Sequence, residues 1–365
     1  TLGGITGKME VLDTSDATAT AEDIALGKTA YVDGVKITGT RIENGLGTVT
    51  GNETTNSEVN DKYGNPVKVP AGFKVVNPDD DVTKGIIIED VSAGNENTKG
   101  SQFVWIPVGD VITDSNGSTT TITLGRYNFE EDGTKTLVQS AENYEDETQL
   151  KTSSTSSSYY QELLSTTSST NTKAKDLEDF VTRVLSSGGY YIGRYEAGDA
   201  YALDSERTDS TSDTNPIVSK AGVYPYNYIT QTQASSLCQG MYNSDTNNNF
   251  QSDLINSYAW DTAIVFIEEF SGDTDYSRQN KLQSTLAKCG EATDGTNNDV
   301  RCNIYDMAGN TREWNTETYV YNSTRYPCVA RGGVFNTANF YTGVRTTNLT
   351  THSTNLISFR STLYL

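Results

Sequence analysis

The chain has 365 residues, of which 35% are apolar, and it carries a formal net charge of −21. This length provides for about two domains, and the apolar content is sufficient for one substantial core. The negative charge disfavours nucleic acid and anionic lipid surfaces as partners, and no apolar run reaches the roughly 20 residues that span a bilayer, so no membrane insertion is expected.

Residues 20–40 predict a small helix-hairpin unit. Thr20 can cap a short helix that ends near Gly27. Two runs of strand composition, "KTAYV" and "VKITGT", flank Asp33 and Gly34, a dipeptide that favours a two-residue turn because both positions need a positive φ. The unit resembles a module of tail proteins from phages that infect Firmicutes. This resemblance implies that residues 1–45 serve tail attachment or assembly.

Residues 46–65 are rich in Gly, Asn and Thr and predict a linker to a second domain, residues 66–365. The runs "VKVPAGFKVV", "GIIIED" and "FVWIPV" predict strands at the start of that domain. At about residues 110–175 the composition shifts to Ser, Thr, Asp and Glu. We expect a long polar insertion there, partly loop.

Helices are predicted in the remaining part of the chain. The run "KDLEDFVTRVLSSGG" places four apolar side chains on one helical face, Leu177, Phe180, Val181 and Val184. The run "YYIGRYEAG" then predicts a strand, and two further helices are expected over residues 232–241 and 253–269. The last sixty residues are short aromatic and β-branched segments separated by Gly and Asn, so the expected fold class is α+β.

Few residue types suited to metal or redox chemistry occur in the chain. The four cysteines are too few and too widely spaced for a disulfide framework or a paired zinc site, and we expect small buried side chains at Cys238, Cys289, Cys302 and Cys328. The single histidine, His352, excludes sites that need two and is expected in a surface loop. Residues 245–253 alternate oxygen-bearing side chains as calcium loops do, but they lack the glycine and final acid of an EF-hand, so calcium and an ordinary turn both stay open.

Seven motifs occur in a defined order: "YYIGRYEAG", "QTQASSLCQGM", "SDLINSYAWDTAI", "CNIYDMAGNTREW", "ARGGVF", "VRTTN" and "ISFR". Together they resemble the formylglycine-generating enzyme group of C-type lectin folds across about residues 66–365. The resemblance implies a C-type lectin domain. The family pattern GN-V-W-E-W occurs here as "GNTREW", with Arg312 in place of a tryptophan.

The motif residues also make physical sense as a scaffold. Gly309 and Asn310 form a turn pair that accepts left-handed backbone, and Trp314 suits a loop-rich core. Charged motif residues can bind one another or backbone carbonyls beneath that core. The predicted structural set is Asp306, Gly309, Asn310, Glu313, Trp314, Arg331, Gly332, Gly333, Arg345, Phe359 and Arg360. The alternative, that Glu313 and Arg331 are catalytic, stays open.

The enzyme resemblance implies a pair of copper-binding cysteines five residues apart, just before an arginine. Aligned on Val344 and Arg345, these positions hold Thr337 and Thr342. A hydroxyl cannot replace the thiolate that a soft metal and oxygen chemistry require. We therefore predict that the chain is not an enzyme and expect no cofactor.

The spacing "RGG...R...ISFR" resembles the variable proteins of diversity-generating retroelements, a non-enzymatic branch with a mutable ligand-binding face near the C-terminus. In that system adenines are randomised, and an Asn codon never becomes Lys, Glu, Gln, Met or Trp. Residues 334–356 contain none of these five. The predicted face is Val334, Phe335, Asn336, Thr337, Asn339, Phe340, Tyr341, Thr346, Asn348, Thr350, His352 and Asn355.

These resemblances imply a phage receptor-binding protein at a tail-fibre tip, located in the virion. Its variable face would bind a host cell-surface protein or glycan, and residues 1–45 would bind other phage tail proteins. Tail-fibre geometry favours a homotrimer, although no heptad repeat enforces one. Two alternatives are a bacterial surface or pilus-tip adhesin with the same domain, and a residual oxidoreductase of the formylglycine-generating kind.

Overall fold

A computed structural model describes residues 17–25, 28–40, 44–143, 149–151, 158–162, 177–210, 214–242, 250–291, 299–321, 324–326 and 328–365. The chain divides into two compact units, Thr1–Gly45 and Leu46–Leu365. Strands far outnumber helices in the described residues, as in an α+β or mostly β protein. Within the same residues, no helix has the length and apolar character needed to cross a membrane.

The first unit contains a 3-10 helix, Ala21–Asp23, and a hairpin of β1 (Thr29–Val32) and β2 (Val35–Thr38). The backbone N–H of Thr20 donates to the carboxylate of Asp23 at 2.8 Å, as in a capping box. Asp33 and Gly34 have φ of 48° and 74°, the left-handed values that a two-residue turn needs. The hairpin prediction is confirmed. The helix is only three residues long, and Gly27 lies outside the described residues.

The second unit carries most of the structure. Its helices are α1 (Leu177–Ser187), α2 (Gln231–Gly240) and α3 (Ser257–Phe270). Its strands are β3 (Ser57–Asn60), β4 (Pro66–Val69), β5 (Phe73–Val75), β6 (Ile87–Asp90), β7 (Gln102–Pro107), β8 (Gly109–Ile112), β9 (Thr119–Ile122), β10 (Gly125–Phe129), β11 (Lys135–Ser140), β12 (Leu150–Lys151), β13 (Tyr159–Glu162), β14 (Gly189–Gly193), β15 (Gly198–Asp199), β16 (Ile217–Val218), β17 (Gln251–Leu254), β18 (Val300–Arg301), β19 (Ile304–Tyr305), β20 (Arg312–Asn315), β21 (Glu317–Tyr321), β22 (Thr324–Tyr326), β23 (Cys328–Arg331), β24 (Arg345–Asn348), β25 (Ile357–Phe359) and β26 (Ser361–Tyr364).

The largest sheet in the described residues has the strand order β17-β26-β14-β7-β6-β5, and all its neighbours are antiparallel. Strand β7 is buried on both faces because successive side chains point to opposite sides. Phe103 and Trp105 pack into one apolar cluster, whereas Val104 and Ile106 pack into another that includes residues of α1 and α3. The core therefore lies on both sides of this sheet.

The three predicted helices are present, with shifted boundaries. In α1, the four apolar side chains predicted to share a face are buried. Helix α2 begins after Thr230, whose side chain caps it. Helix α3 begins at Ser257 and not at residue 253, because Asn256 accepts a hydrogen bond from the Ala259 N–H at 3.0 Å and residues 251–254 form strand β17 instead.

Two expectations from composition are corrected by the structure. Residues 46–65 are not a linker, because Leu46, Val49 and Val59 are buried in the core and β3 pairs with β4. The polar insertion is more regular than expected: β8 pairs with β9, β10 with β11, and β13 with β21. Both segments are polar on average, so their composition does not reveal the few apolar residues that are buried. Residues 144–148, 152–157 and 163–176 of the insertion lie outside the described residues.

Candidate functional site

Four of the motif segments meet in one small sheet, with the strand order β24-β23-β20-β25. Strands β24, β23 and β20 are antiparallel, and β20 runs parallel to β25. In register, Glu313 faces Arg331, which faces Arg345. Because side chains alternate along a strand, these three lie on one side of the sheet, and Arg312 and Thr346 lie on the other.

On the first side, Arg331 and Arg345 bind buried carboxylates. Their Nη2 atoms lie 2.6 Å from the two oxygens of Asp261 in α3, and Arg345 Nε lies 2.7 Å from Glu317. Arg126 of β10 also pairs with Glu317. Burial opposes ionisation of Glu317, yet Arg345, Arg126 and Arg331 lower its pKa to about 2. This ion cluster ties five elements together: β10, β21, β23, β24 and α3.

A second ion pair joins Glu313 to Arg360 at 2.7 Å. Arg360 also donates to the carbonyls of Gly193 at 2.6 Å and Tyr305 at 2.7 Å. Although Glu313 and Arg331 face each other in register, their side chains bind different partners. Both are fully buried, as expected of a scaffold.

The turn motif packs against buried acids. Asn310 has φ of 54° and donates to Glu196 at 2.6 Å, and Asp306 has φ of 66° and accepts from the Gly290 N–H at 2.7 Å. Burial raises the pKa of Asp306 to about 7. A Cβ atom at Gly333 would lie 2.0 Å from the Ala308 carbonyl oxygen, so only glycine fits there. Trp314, Phe359 and Gly332 are likewise buried.

Residues 334–345 contain three buried anchors among exposed and half-exposed residues. Val334 is 0% exposed and Phe335 is 7% exposed, so their prediction as part of the face is wrong. The Phe335 N–H donates to Asn310 and its carbonyl accepts from the Gln283 N–H, both at 2.8 Å, which draws this stretch into the core. Thr342 is also fully buried.

The other ten predicted residues keep their side chains exposed or half-exposed. Asn336 and Asn339 are exposed in the segment before β24. We call the set the C-terminal face: Asn336, Thr337, Asn339, Phe340, Tyr341, Thr346, Asn348, Thr350, His352 and Asn355.

Arg312 brings part of the C-terminal face together. Its guanidinium lies over the Phe340 ring, 4.6 Å from the ring centre, and its Nη1 donates to Thr346 Oγ1 at 3.2 Å. Burial, with a smaller contribution from the Arg312 charge, lowers the pKa of His352. In the sequence, Arg312 stands out only as a departure from the family pattern. The signal that could have identified Arg312 is a charged side chain at a position where the family pattern has a tryptophan.

Tyr341 lies beside a different feature, a cleft of about 250 Å³. Its ring stacks under Arg278 at 4.0 Å, and the lining also includes Glu130, Lys151 and Tyr160. Tyr160 donates to the Arg345 carbonyl at 3.1 Å. The sequence does not identify these residues as a group, because most belong to the polar insertion and lie far from Tyr341 along the chain. Among the described residues, no hydrogen bond joins Asn336, Thr350 or Asn355 to Arg312 or Tyr341.

The candidate metal and thiol residues have other roles. Cys238, Cys289 and Cys328 are buried and Cys302 is half-buried; burial raises the pKa of Cys328 to about 12. Asp253, at the end of the calcium-like stretch, is buried and accepts from Gln239 at 3.0 Å, and residues 243–249 lie outside the described part. Across the described residues, no group of three or more metal-ligating side chains is present.

No protein-family model matches the chain, and no curated protein matches it in sequence. The solved structures with distant similarity to the chain include the following two. One is Treponema denticola variable protein 1, with 13% identity and a TM-score of 0.31 over 49% of this chain and 85% of that one. The other is CarF, with 12% identity and a TM-score of 0.33 over 48% of this chain and 87% of that one. Both scores are too low to establish a common fold.

Proposed function

We propose that residues 46–365 form a C-type lectin domain of the variable-protein kind and bind a ligand through the C-terminal face. One observation carries this proposal. Within residues 334–356, three buried anchors, Val334, Phe335 and Thr342, hold a segment whose other Asn, Thr and aromatic side chains are exposed or half-exposed. A fixed backbone that displays replaceable side chains is what a variable binding surface requires.

The chemistry of the face suits recognition. Phe340 and Tyr341 offer rigid contact area at low entropic cost, and Asn and Thr offer adaptable hydrogen bonds. The ion cluster of Arg331, Arg345 and Asp261 uses no side chain of the face. Substitutions on the face therefore leave the scaffold beneath it intact.

We also propose that the chain catalyses no reaction and needs no cofactor. Thr337 and Thr342 stand where the enzyme resemblance implies thiols. Glu313 and Arg331, the alternative catalytic pair, are fully buried and satisfied by ion pairs. A side chain that is enclosed in this way cannot contact a substrate at the surface.

For the biological role, we propose that the chain is a phage receptor-binding protein at a tail-fibre tip. Residues 1–45 would join it to other tail proteins, in the virion, and the ligand would be a host-surface protein or glycan. Support for this step is the resemblance of residues 20–40 to tail modules. A homotrimer is part of the same proposal because it matches fibre symmetry.

The central test replaces Phe340 and Tyr341 by alanine in the full chain. We expect lost binding to host bacteria with little change in the melting temperature, because neither ring is buried in the core and aromatic anchors dominate affinity. The matched control is Tyr201→Ala, an aromatic residue that is 63% exposed and lies outside residues 334–356. Unchanged binding in the double variant, or collapse of its fold, places the function elsewhere.

Two further observations separate the alternatives. A reverse transcriptase gene beside a near-copy of codons 334–356, with differences only at adenines, would establish the variable-protein branch; the buried anchors predict no differences at Val334, Phe335 and Thr342. Electron microscopy with an antibody against residues 1–45 should label virions. Labelling of bacterial cells without virions would instead favour the surface or pilus-tip adhesin.

A further inference from the structure

We propose that the ligand of the C-terminal face carries a carboxylate on a saccharide, and that Arg312 binds this group. The inference rests on the proposed function, since it assigns the chemistry of the ligand at the same face. Its basis is a buried guanidinium with no carboxylate partner, placed beside the half-exposed Phe340.

Arg312 is 8% exposed, and the donors of its side chain are poorly satisfied. Nη1 donates to the neutral hydroxyl of Thr346 at 3.2 Å. Nε is buried and has no hydrogen-bond partner among the described residues. No described carboxylate lies within ion-pair distance of the guanidinium. An unpaired buried charge is costly, so a partner from outside the chain would relieve that cost.

The other buried arginine side chains of the described residues differ in this respect, because each is paired with a carboxylate. The pairs are Arg126 with Glu317, Arg207 with Asp199, Arg331 with Asp261, Arg345 with Asp261 and Glu317, and Arg360 with Glu313. The chain has 48 acidic residues for 27 Lys and Arg residues. A shortage of acids therefore does not explain the unpaired state of Arg312.

The surroundings of Arg312 favour an anion from solution. Residues 334–356 contain no Asp or Glu, although the whole chain is strongly acidic. The Phe340 ring covers one face of the guanidinium. A stacked guanidinium keeps its N–H donors in its own plane, and this fork matches the two oxygens of a carboxylate.

The remaining polar side chains of the face suit the hydroxyls of a saccharide. Asn336, Asn339, Asn348 and Thr350 are neutral, and each can donate and accept hydrogen bonds as sugar hydroxyls do. An acidic sugar such as a uronic or sialic acid combines hydroxyls with one carboxylate.

The test measures the melting temperature of the full chain with acidic and neutral sugars at equal ionic strength. D-Glucuronate and N-acetylneuraminate should raise the midpoint of the unaltered protein, because a ligand that binds only the folded state stabilises it. D-Glucose and N-acetylglucosamine, which lack the carboxylate, should not. Arg312→Met should weaken binding of the acidic sugars by about tenfold or more, the typical effect of losing a charge-assisted pair.

The melting temperature without ligand distinguishes a binding role of Arg312 from a structural role. Arg312→Met should leave the unliganded midpoint unchanged or raise it, since the variant no longer buries an unpaired charge. The control is Arg194→Met, which removes another arginine that is stacked on aromatic rings, Tyr195 and Tyr305, and lies outside the face. This control should keep the response to acidic sugars.

Several outcomes would overturn the inference. They are an equal response to neutral sugars, a retained response in Arg312→Met, or a response only to an acidic peptide such as Gly-Asp-Gly, which would make the partner a protein. If cell binding depends on Phe340 and Tyr341 but no acidic sugar has an effect, this inference fails and the proposed function stands. If cell binding does not depend on the face, the proposed function fails.

Discussion

Arg331 and Arg345 face each other on neighbouring strands and bind opposite oxygens of a single buried carboxylate, Asp261, each at 2.6 Å. The two positive charges can lie this close together because Asp261 and Glu317 each pair with both arginines and neutralise them. Half of the C-terminal face, from Asn336 to Tyr341, lies on the segment between these arginines, and the other half follows Arg345. Its geometry therefore depends on a carboxylate in α3.

The first prediction concerns this carboxylate. Asp261→Asn leaves buried guanidinium charge with only Glu317 as a counterion, so the free energy of unfolding should fall by about 3–5 kcal/mol. Urea denaturation measures the change. The control, Asp204→Asn, breaks an exposed pair with Lys288 and should leave the midpoint nearly unchanged. Equal effects of the two substitutions would show that the cluster does not hold the sheet.

The second prediction concerns Trp314. Its ring is fully buried and its Nε1–H donates to the Ile229 carbonyl at 2.9 Å. Trp314→Ala should lower the free energy of unfolding by about 3–5 kcal/mol, because it leaves a cavity and an unpaired carbonyl. Trp314→Phe, which keeps most of the apolar volume, should cost less. A melting temperature unchanged by Trp314→Ala would contradict the structural role of this motif.

The third prediction compares Phe335 with the exposed residues that follow it. Phe335→Ala should cost about 3–5 kcal/mol, because the ring is almost fully buried. Asn336→Ala and Asn339→Ala should each change stability by no more than about 0.5 kcal/mol, since both side chains are exposed. Thermal unfolding of the three variants checks the boundary between anchor and face. Similar losses of stability at all three positions would contradict the distinction between a buried anchor and an exposed face.

The fourth prediction concerns pH. Burial raises the pKa of Asp306 from 3.8 to about 7 and raises that of Glu196 in the same direction. The folded state thus keeps protons that the unfolded state releases. Their stabilising contribution is complete below the unfolded pKa and is lost as pH rises through the folded pKa. Stability should therefore carry a component that decreases between about pH 4 and about pH 7.

Asp306→Asn should flatten this pH dependence, because an amide does not titrate and asparagine also tolerates φ of 66°. The measurement is the urea midpoint at about pH 5 and about pH 7 for both proteins. Glu317 acts in the opposite sense: its lowered pKa stabilises the fold above the ordinary value, and this is lost as pH falls towards about 2. A variant with the same pH slope as the unaltered protein would show that Asp306 is not the titrating group.

The sequence alone determined features that depend on neighbouring residues. The Asp33 and Gly34 turn follows from backbone preference, and the buried face of α1 follows from the spacing of Leu177, Phe180 and Val184. The left-handed backbone of Asn310 follows from the Gly309–Asn310 turn pair. The burial of Trp314 follows from its large aromatic side chain. In these cases the physical cause acts within a few residues, so a local pattern is enough.

Only the tertiary structure decided which residues meet across the chain. Arg126 and Glu317 are 191 positions apart, and the partnership of Asp261 with Arg331 spans 70. Composition placed residues 46–65 in a linker, whereas long-range packing buries Val59. Beside the C-terminal face, contacts across the chain bury Phe335, whereas Phe340 stays half-exposed over Arg312. Burial and ion pairing are properties of the assembled core, and no short window of sequence contains them.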